Sequence, residues 1–182
     1  MKPRAAWRWV AGLAALAMLS GCGRKGPPLP PYRPVPGHVT DLAAARVDDR
    51  VTVTFTVPKA NRDGSTPSVV QQVEIYVLET AAGAPPPTSA QVLDADHLLT
   101  SIDVRPVDAL RAPGDSPDRR PGPGEPAQWV DVLVGRPIGA PDAPTRHYIA
   151  IGVTTRRRGE PSLVVSVTLS KPPDALRGSA SR

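Results

Sequence analysis

One stretch of seven residues constrains the fold more than any other feature of the chain. From Val51 to Val57, an apolar side chain alternates with threonine at every position. A period of two puts the apolar side chains, Phe55 among them, on one face of an extended strand and the threonines on the other. Pro58 then ends the strand, because proline has no N–H to donate. The pattern predicts a strand with one buried and one solvated face, and a structural role for Phe55.

The rest of the chain repeats such patterns over short stretches separated by turn residues. One short helix is predicted over Thr88–His97. Further strands are predicted at Val39–Arg46, Val69–Glu79, Leu98–Val107, Trp129–Val134, His147–Thr155 and Leu163–Leu169. Within Leu98–Val107, the inward positions are expected to be Leu98, Ile102 and Val104. About seven short strands favour an all-β sandwich.

Two segments have too few apolar side chains to join a core. Residues 109–127 are rich in proline, glycine, aspartate and arginine, and residues 173–182 form a small polar tail after Pro172 and Pro173. Ordering the backbone costs about 1–2 kcal/mol per residue, which these compositions do not offset. We expect a long disordered insertion at 109–127 and a disordered tail at 173–182.

Several motifs resemble those of fibronectin type III domains. They are Val51-x-Val53-x-Phe55, Val73-x-Ile75-Tyr76, and Tyr148-x-Ala150-x-Gly152-Val153 followed by Gly159-Glu160-Pro161-Ser162. The resemblance covers about residues 36–172. It implies an immunoglobulin-like sandwich in which Tyr148 is the tyrosine corner, with its hydroxyl bonded to upstream backbone. The tryptophan usual on the second strand is Phe55 here, or is displaced to Trp129, and residues 80–127 are longer than the family needs.

The N-terminus has the features of an export signal. A basic start precedes the apolar run Val10–Leu19, which is shorter than the ~20 residues that span a bilayer. Leu19-Ser20-Gly21-Cys22 then resembles the lipobox of bacterial lipoproteins, whose cysteine sulfur receives diacylglycerol before cleavage. The resemblance implies that residues 1–21 are removed and that Cys22, the single cysteine, carries acyl chains such as palmitate and anchors the chain to a membrane. The alternative is that Cys22 is a small buried side chain.

The segment after the cysteine is predicted to be a spacer. Residues 22–36 are rich in proline, which favours an extended polyproline II linker. Cys22-Gly23-Arg24-Lys25-Gly26-Pro27 resembles the start of small outer-membrane lipoproteins of the lipopolysaccharide-transport-modulator type, and Gly23 resembles an outer-membrane sorting position. This resemblance implies an outer-membrane location, on the periplasmic face or the cell surface, and an accessory part in lipopolysaccharide assembly.

Motifs typical of catalytic, metal-binding or phosphate-binding sites are scarce. His38, His97 and His147 lie about fifty residues apart, without the short spacings of metal sites, so each is expected at a solvent or strand-edge position. Asn61-x-Asp63-Gly64 lacks the further ligands of a calcium loop and predicts a turn. No nucleophile elbow or phosphate-binding glycine loop occurs. We expect no enzyme activity, no catalytic residue, no metal and no cofactor.

The charge balance argues against a nucleic-acid partner. The chain has 22 basic and 17 acidic residues, but Lys2, Arg4 and Arg8 lie in the segment expected to be removed, which leaves 19 basic residues and a net charge of about +2. One run stands out, Arg156-Arg157-Arg158, expected at the tip of a hairpin with Gly159 supplying the turn. The run fits either a solvated loop or a site for an anionic lipid, glycan or protein.

The sequence therefore predicts a monomeric, lipid-anchored envelope protein that presents one fibronectin-III-like interaction domain. Its parts are a signal peptide (1–21), a lipidated linker (22–36), the domain (37–172) and the tail (173–182). An alternative hypothesis is an accessory subunit of an envelope assembly complex, recruited through the segment that begins at Cys22.

Overall fold

In the computed structural model, the described residues are 33–107, 117–135, 139–140 and 142–170. The predicted signal peptide, Cys22, residues 109–116 of the insertion and the tail lie outside them. The elements are β1 (Thr40–Val47), β2 (Arg50–Thr56), β3 (Gln72–Thr80), α1 (Ser89–Val92), a 3₁₀ turn (Ala95–His97), β4 (Leu98–Asp103), β5 (Pro126–Val132), β6 (Thr145–Val153), β7 (Arg158–Pro161) and β8 (Val165–Thr168). No helix among the described residues is long and apolar enough to cross a membrane.

The strands form two antiparallel sheets, which confirms the predicted all-β sandwich. One sheet has the order β1-β2-β5, and the other has the order β4-β3-β6 with both β7 and β8 on the far side of β6. β7 pairs with the carboxyl half of β6 and β8 with its amino half. The described residues thus hold eight strands instead of about seven, because β7 pairs with β6 where no strand was predicted, and Ser162, which exchanges hydrogen bonds with Ala150, separates β7 from β8.

The core between the sheets follows the alternation of the sequence. Its members are aliphatic apart from Phe55 and Tyr148; those on β2, β3 and β6 are Val51, Val53, Phe55, Val73, Ile75, Tyr148 and Ala150. Phe55 is 1 % exposed, whereas Trp129 is 39 % exposed, so Phe55 is the aromatic that fills the core. The prediction of inward positions for the strand at 98–107 is correct at Val104, which is buried just after β4, and at Ile102, which packs against the core. It is wrong at Leu98, which is 45 % exposed.

A second apolar layer covers the outer face of the larger sheet. Val92 of α1 packs with side chains that point away from the main core, namely Tyr76, Ile149, Ile151 and Val153. Thr88 caps α1, since its hydroxyl accepts from the Gln91 N–H while the Gln91 side chain accepts from the Thr88 N–H. The long connection between β3 and β4 therefore acts as a cover, and every residue of β6 from Arg146 to Val153 is buried.

The segment predicted to be disordered, residues 109–127, was extended too far at its carboxyl end. Pro126 and Ala127 belong to β5, and the residues just before them are held by main-chain hydrogen bonds. Arg105 N–H donates to the carbonyl of Pro121 at 2.9 Å, and Val57 N–H donates to that of Glu125 at 3.0 Å. These bonds tie residues 121–125 to the ends of β4 and β2. The compact unit that holds the sandwich starts at Pro34, and the domain was predicted from residue 37.

Candidate functional site

The chain enters the sandwich along the loop that follows β2. Arg62 N–H donates to the carbonyl of Val35 at 2.8 Å, and Gly37 N–H donates to that of Ala60 at 3.0 Å. The turn between β6 and β7 lies at the same end, since Thr155 N–H donates to the Gln71 side chain at 2.8 Å. We call the described residues 33–39, 57–71, 104–107, 117–125 and 154–157 the tether-side pole. At this end of the sandwich lie the described parts of three connections: β2–β3, β4–β5 and β6–β7.

The Asn61–Pro67 turn uses its own polar side chains. The Asn61 amide donates to Ser65 Oγ at 2.9 Å and to the Pro67 carbonyl at 3.2 Å, and its oxygen accepts from the Val69 N–H at 2.9 Å. Asp63 Oδ1 accepts from the Ser65 hydroxyl at 2.7 Å. Across the described residues, no group of histidine, cysteine, aspartate or glutamate side chains is arranged to hold a metal ion. These oxygens order the loop instead.

The structure divides the arginine run into two parts. Arg156 and Arg157 are exposed in the turn, where Arg157 N–H donates to Thr154 Oγ1 at 3.0 Å. Arg158 is the first residue of β7, and its guanidinium donates to Glu74 at 2.8 Å and to the hydroxyl of Tyr76, with its Cζ 5.3 Å from the centroid of that ring. The run was predicted at a hairpin tip, whereas Arg158 lies within β7, where the outer face of β3 supplies it with partners.

Gly159 also differs from its predicted place in the turn. It lies within β7, and a side chain there would meet main-chain oxygens of Pro36 at 2.6 Å, Gly152 at 2.9 Å and Gly37 at 3.0 Å. The glycine is needed because the entry segment passes directly against β7. The start of the domain is thus packed onto its last edge strand.

The tether-side pole carries more positive charge than its ion pairs neutralise. The pairs are Arg62–Glu160 at 3.0 Å, Arg105–Glu125 at 2.5 Å and Arg120–Asp118 at 2.7 Å. The hydrogen bond from Arg120 lowers the pKa of Asp118 to about 2, and the N–H of Gly122 lowers that of Glu125, so both carboxylates stay ionised. Other exposed cations of the pole form no ion pair with any described residue: Arg33, Lys59, Arg119, Arg156 and Arg157.

A buried polar cluster joins the two sheets. The Tyr148 hydroxyl on β6 donates to Asp131 Oδ2 on β5 at 2.7 Å, and Arg146 binds the same oxygen at 2.9 Å. Arg146 also lies 3.8 Å from Glu79 of β3. Tyr148 is fully buried, and this burial raises the pKa of its hydroxyl. The resemblance placed the hydroxyl on upstream backbone, whereas its partner is an upstream side chain.

The three histidines are far from one another, and His147 differs from its prediction. His38 is exposed at the tether-side pole, and His97 Nδ1 is 3.0 Å from the Gln91 carbonyl. His147 is only 3 % exposed, with Nε2 2.9 Å from Thr80 Oγ1 and Nδ1 2.7 Å from Ser166 Oγ. It was predicted at a solvent or strand-edge position, but β3 and β8 enclose it.

The environment of His147 predicts a loss of stability in mild acid. Burial lowers the pKa of this imidazole, so the unfolded chain binds its proton more readily than the folded one. The free energy of unfolding should be highest above about pH 6.5 and fall as the pH drops below it, by at most ~1.4 kcal/mol per pH unit from this group. Urea unfolding of the wild type and of His147→Gln between pH 8 and pH 5 checks this. Equal slopes in both proteins would contradict it.

Comparison with known families gives a match at the N-terminus. Residues 9–27 match the family model described as the LPS-assembly lipoprotein LptM, conserved region. The match indicates a bacterial lipoprotein of the cell envelope. The matched residues include Cys22 and precede the described part of the chain. No match was found among curated proteins.

The structure also contains features that the sequence reasoning did not find. Asp131 is the main one: it is buried, whereas the valines at 130, 132 and 134, whose alternation in the sequence favours the opposite face of the strand as the inner one, are exposed. No sequence signal marked the ion pairs of the tether-side pole or its cations Lys59 and Arg119, because their neighbours come from distant loops. The candidate functional surface is therefore the tether-side pole, with the Asp131 cluster as interior support.

Proposed function

We propose that this chain is a non-catalytic envelope lipoprotein, anchored by lipid on Cys22, whose sandwich is an interaction domain held near the membrane. One observation carries the proposal: a lipoprotein segment ending at residue 27 is followed within a few residues by a sandwich that has three of its loops at the end where the chain enters. Loops on a rigid sandwich are the usual place for recognition surfaces. Gly23 after the cysteine supports an outer-membrane location.

We propose further that the sandwich is of the fibronectin type III kind. Its two antiparallel sheets, with the first two strands in one sheet and the third in the other, are compatible with that architecture. Tyr148 supports the assignment, because it is fully buried on the strand whose sequence resembles the family's tyrosine-containing strand. The connection between β3 and β4, which covers the outer face, is an addition to that plan.

A second candidate function rests on the matched segment alone. Residues 9–27 include Cys22-Gly23-Arg24-Lys25-Gly26-Pro27, so the start of the mature chain is similar to a lipoprotein named for lipopolysaccharide assembly. On this hypothesis, the chain is an accessory subunit of an envelope assembly complex, and the linker rather than the sandwich contacts the complex.

Exchanging the linker separates the two candidates. Residues 24–32 are replaced by an unrelated proline-rich sequence of equal length, which keeps Cys22, Gly23 and the whole sandwich. If the sandwich is the interaction domain, the full-length lipoprotein should retain its cross-linked envelope proteins at wild-type yield, because the recognition loops are unchanged. The measurement is in-membrane cross-linking followed by mass spectrometry. Loss of the same cross-links would favour the second candidate, and membrane fractionation of both proteins controls for anchoring.

A further inference from the structure

The two ends of the sandwich differ in charge. The tether-side pole has five exposed cations without an ion pair to any described residue, Arg33, Lys59, Arg119, Arg156 and Arg157. The opposite end, which we call the distal pole, comprises the described residues 48–49, 133–135, 139–140, 142–144 and 169–170. Its loops carry Asp48, Asp49 and Asp142, and two arginines of the adjoining strands reach it: Arg46 donates to the carbonyls of Leu169 and Ser170, and Arg50 pairs with Asp49. Among the described residues, the tether-side pole is therefore the more positive of the two ends.

The covalent tether leaves the sandwich at its positive end. Eleven residues, 23–33, separate Cys22 from Pro34, where the compact unit begins. Eleven residues reach at most about 36–40 Å when fully extended. The pole that joins the tether can therefore approach the lipid surface, within the ~8 Å over which charges act at physiological salt. Arg24 and Lys25 place two more cations on the tether itself.

The positions of the free cations favour a broad charged surface as partner. They come from separate loops, with Lys59 after β2, Arg119 before β5, and Arg156 and Arg157 in the turn between β6 and β7. Such an arrangement suits a plane of phosphates, with which each guanidinium can form two hydrogen bonds independently of the others. Cations close to an anionic lipid surface each add to the attraction.

We propose that the tether-side pole docks onto the phosphate head groups of an anionic membrane, so that the sandwich stands on the bilayer with its distal pole outward. The proposal rests on the anchoring through Cys22 in the proposed function. The anchor holds the protein at the membrane, and the free cations of the pole set its orientation. Arg158 takes no part, because Glu74 neutralises it.

Spin labels at the two poles test the orientation. The mature lipoprotein has its single native cysteine blocked by lipid, so one cysteine can be introduced as Thr155→Cys at the tether-side pole or as Val134→Cys, 83 % exposed, at the distal pole. Each labelled protein is placed in phosphatidylcholine vesicles with or without phosphatidylglycerol. Collision of the label with a water-soluble relaxation agent should fall several-fold at position 155 when phosphatidylglycerol is present, and should not change at position 134.

Charge variants and salt provide the controls. Arg156→Ser/Arg157→Ser, made with Thr155→Cys, should lower the docking equilibrium constant by about 30-fold, and high salt should release the wild type. Arg50→Ser, which removes an exposed arginine outside the pole, should leave docking unchanged. Equal collision rates of the label at position 155 on vesicles with and without phosphatidylglycerol would overturn the proposal. Protection of this label that persists in the double variant would also overturn it, as would protection that appears only when an acidic protein is added. Failure to float with neutral vesicles would instead refute the anchor.

Discussion

Replacing Asp131 with leucine should lower the free energy of unfolding by about 3–5 kcal/mol, because it leaves the Arg146 guanidinium buried without its main partner. Both side chains are buried, and the 2.9 Å contact joins β5 of one sheet to β6 of the other. The same change removes the acceptor of the Tyr148 hydroxyl. Glu79 remains 3.8 Å from Arg146, which is too far for a strong hydrogen bond. Denaturant unfolding of the two proteins at neutral pH measures the difference.

Three further variants show whether the buried Asp131–Arg146 pair is the cause of the lost free energy of unfolding. Asp49→Leu, which alters an exposed aspartate, should stay within ~0.5 kcal/mol of the wild type. Tyr148→Phe should cost about 1–2 kcal/mol, since it removes only the hydroxyl. Asp131→Leu/Arg146→Met should recover much of the loss, because both charges leave the interior together. A double variant as unstable as Asp131→Leu would mean that packing, not the uncompensated charge, sets the cost.

The alternating stretches explain why most of the fold could be predicted from the sequence. β2, β3 and β6 each bury a face of valine, isoleucine or aromatic side chains, and a period of two is local information. β7 was missed because Arg158–Pro161 has no apolar alternation. It is held by main-chain pairing with β6 and by the close approach of the entry segment to Gly159, and both depend on distant parts of the chain.

The site was less predictable for the same physical reason. Arg156 and Arg157 were correctly expected to be exposed on a turn, a local property of their sequence. The neutralisation of Arg158 depends on Glu74 and Tyr76, on a strand more than eighty residues earlier, which no local pattern reveals. Asp131 is a second such case, because the alternating valines at 130, 132 and 134 favour the opposite face as the inner one, and only the pairing of Asp131 with Arg146 and Tyr148 on β6 explains its burial.

Replacing Cys22 with alanine should abolish lipid attachment altogether. The thioether to diacylglycerol requires the sulfur, and the chain has a single cysteine. At ~0.8 kcal/mol per buried CH₂, one acyl chain gives only marginal binding, so stable anchoring requires the additional chains that the modified cysteine would carry. Mass spectrometry of the N-terminus should find an acylated Cys22 on the wild type. On the variant, it should find an unacylated chain, either released from the membrane fraction or uncleaved.

The matched control is Ser20→Ala, which keeps a small residue before Gly21 and should leave the acylated mass and the membrane yield unchanged. If processing occurs without the lipid, the free cations of the tether-side pole should still hold a small fraction of Cys22→Ala on anionic membranes. They contribute about 1 kcal/mol each near such a surface. That residual binding should vanish as salt shortens the Debye length, whereas acyl chains hold the wild type at any salt. An unmodified Cys22 on the wild-type protein would refute the anchor. If a fraction of the variant stayed on the membrane at high salt, this would show that other parts of the chain bind the bilayer.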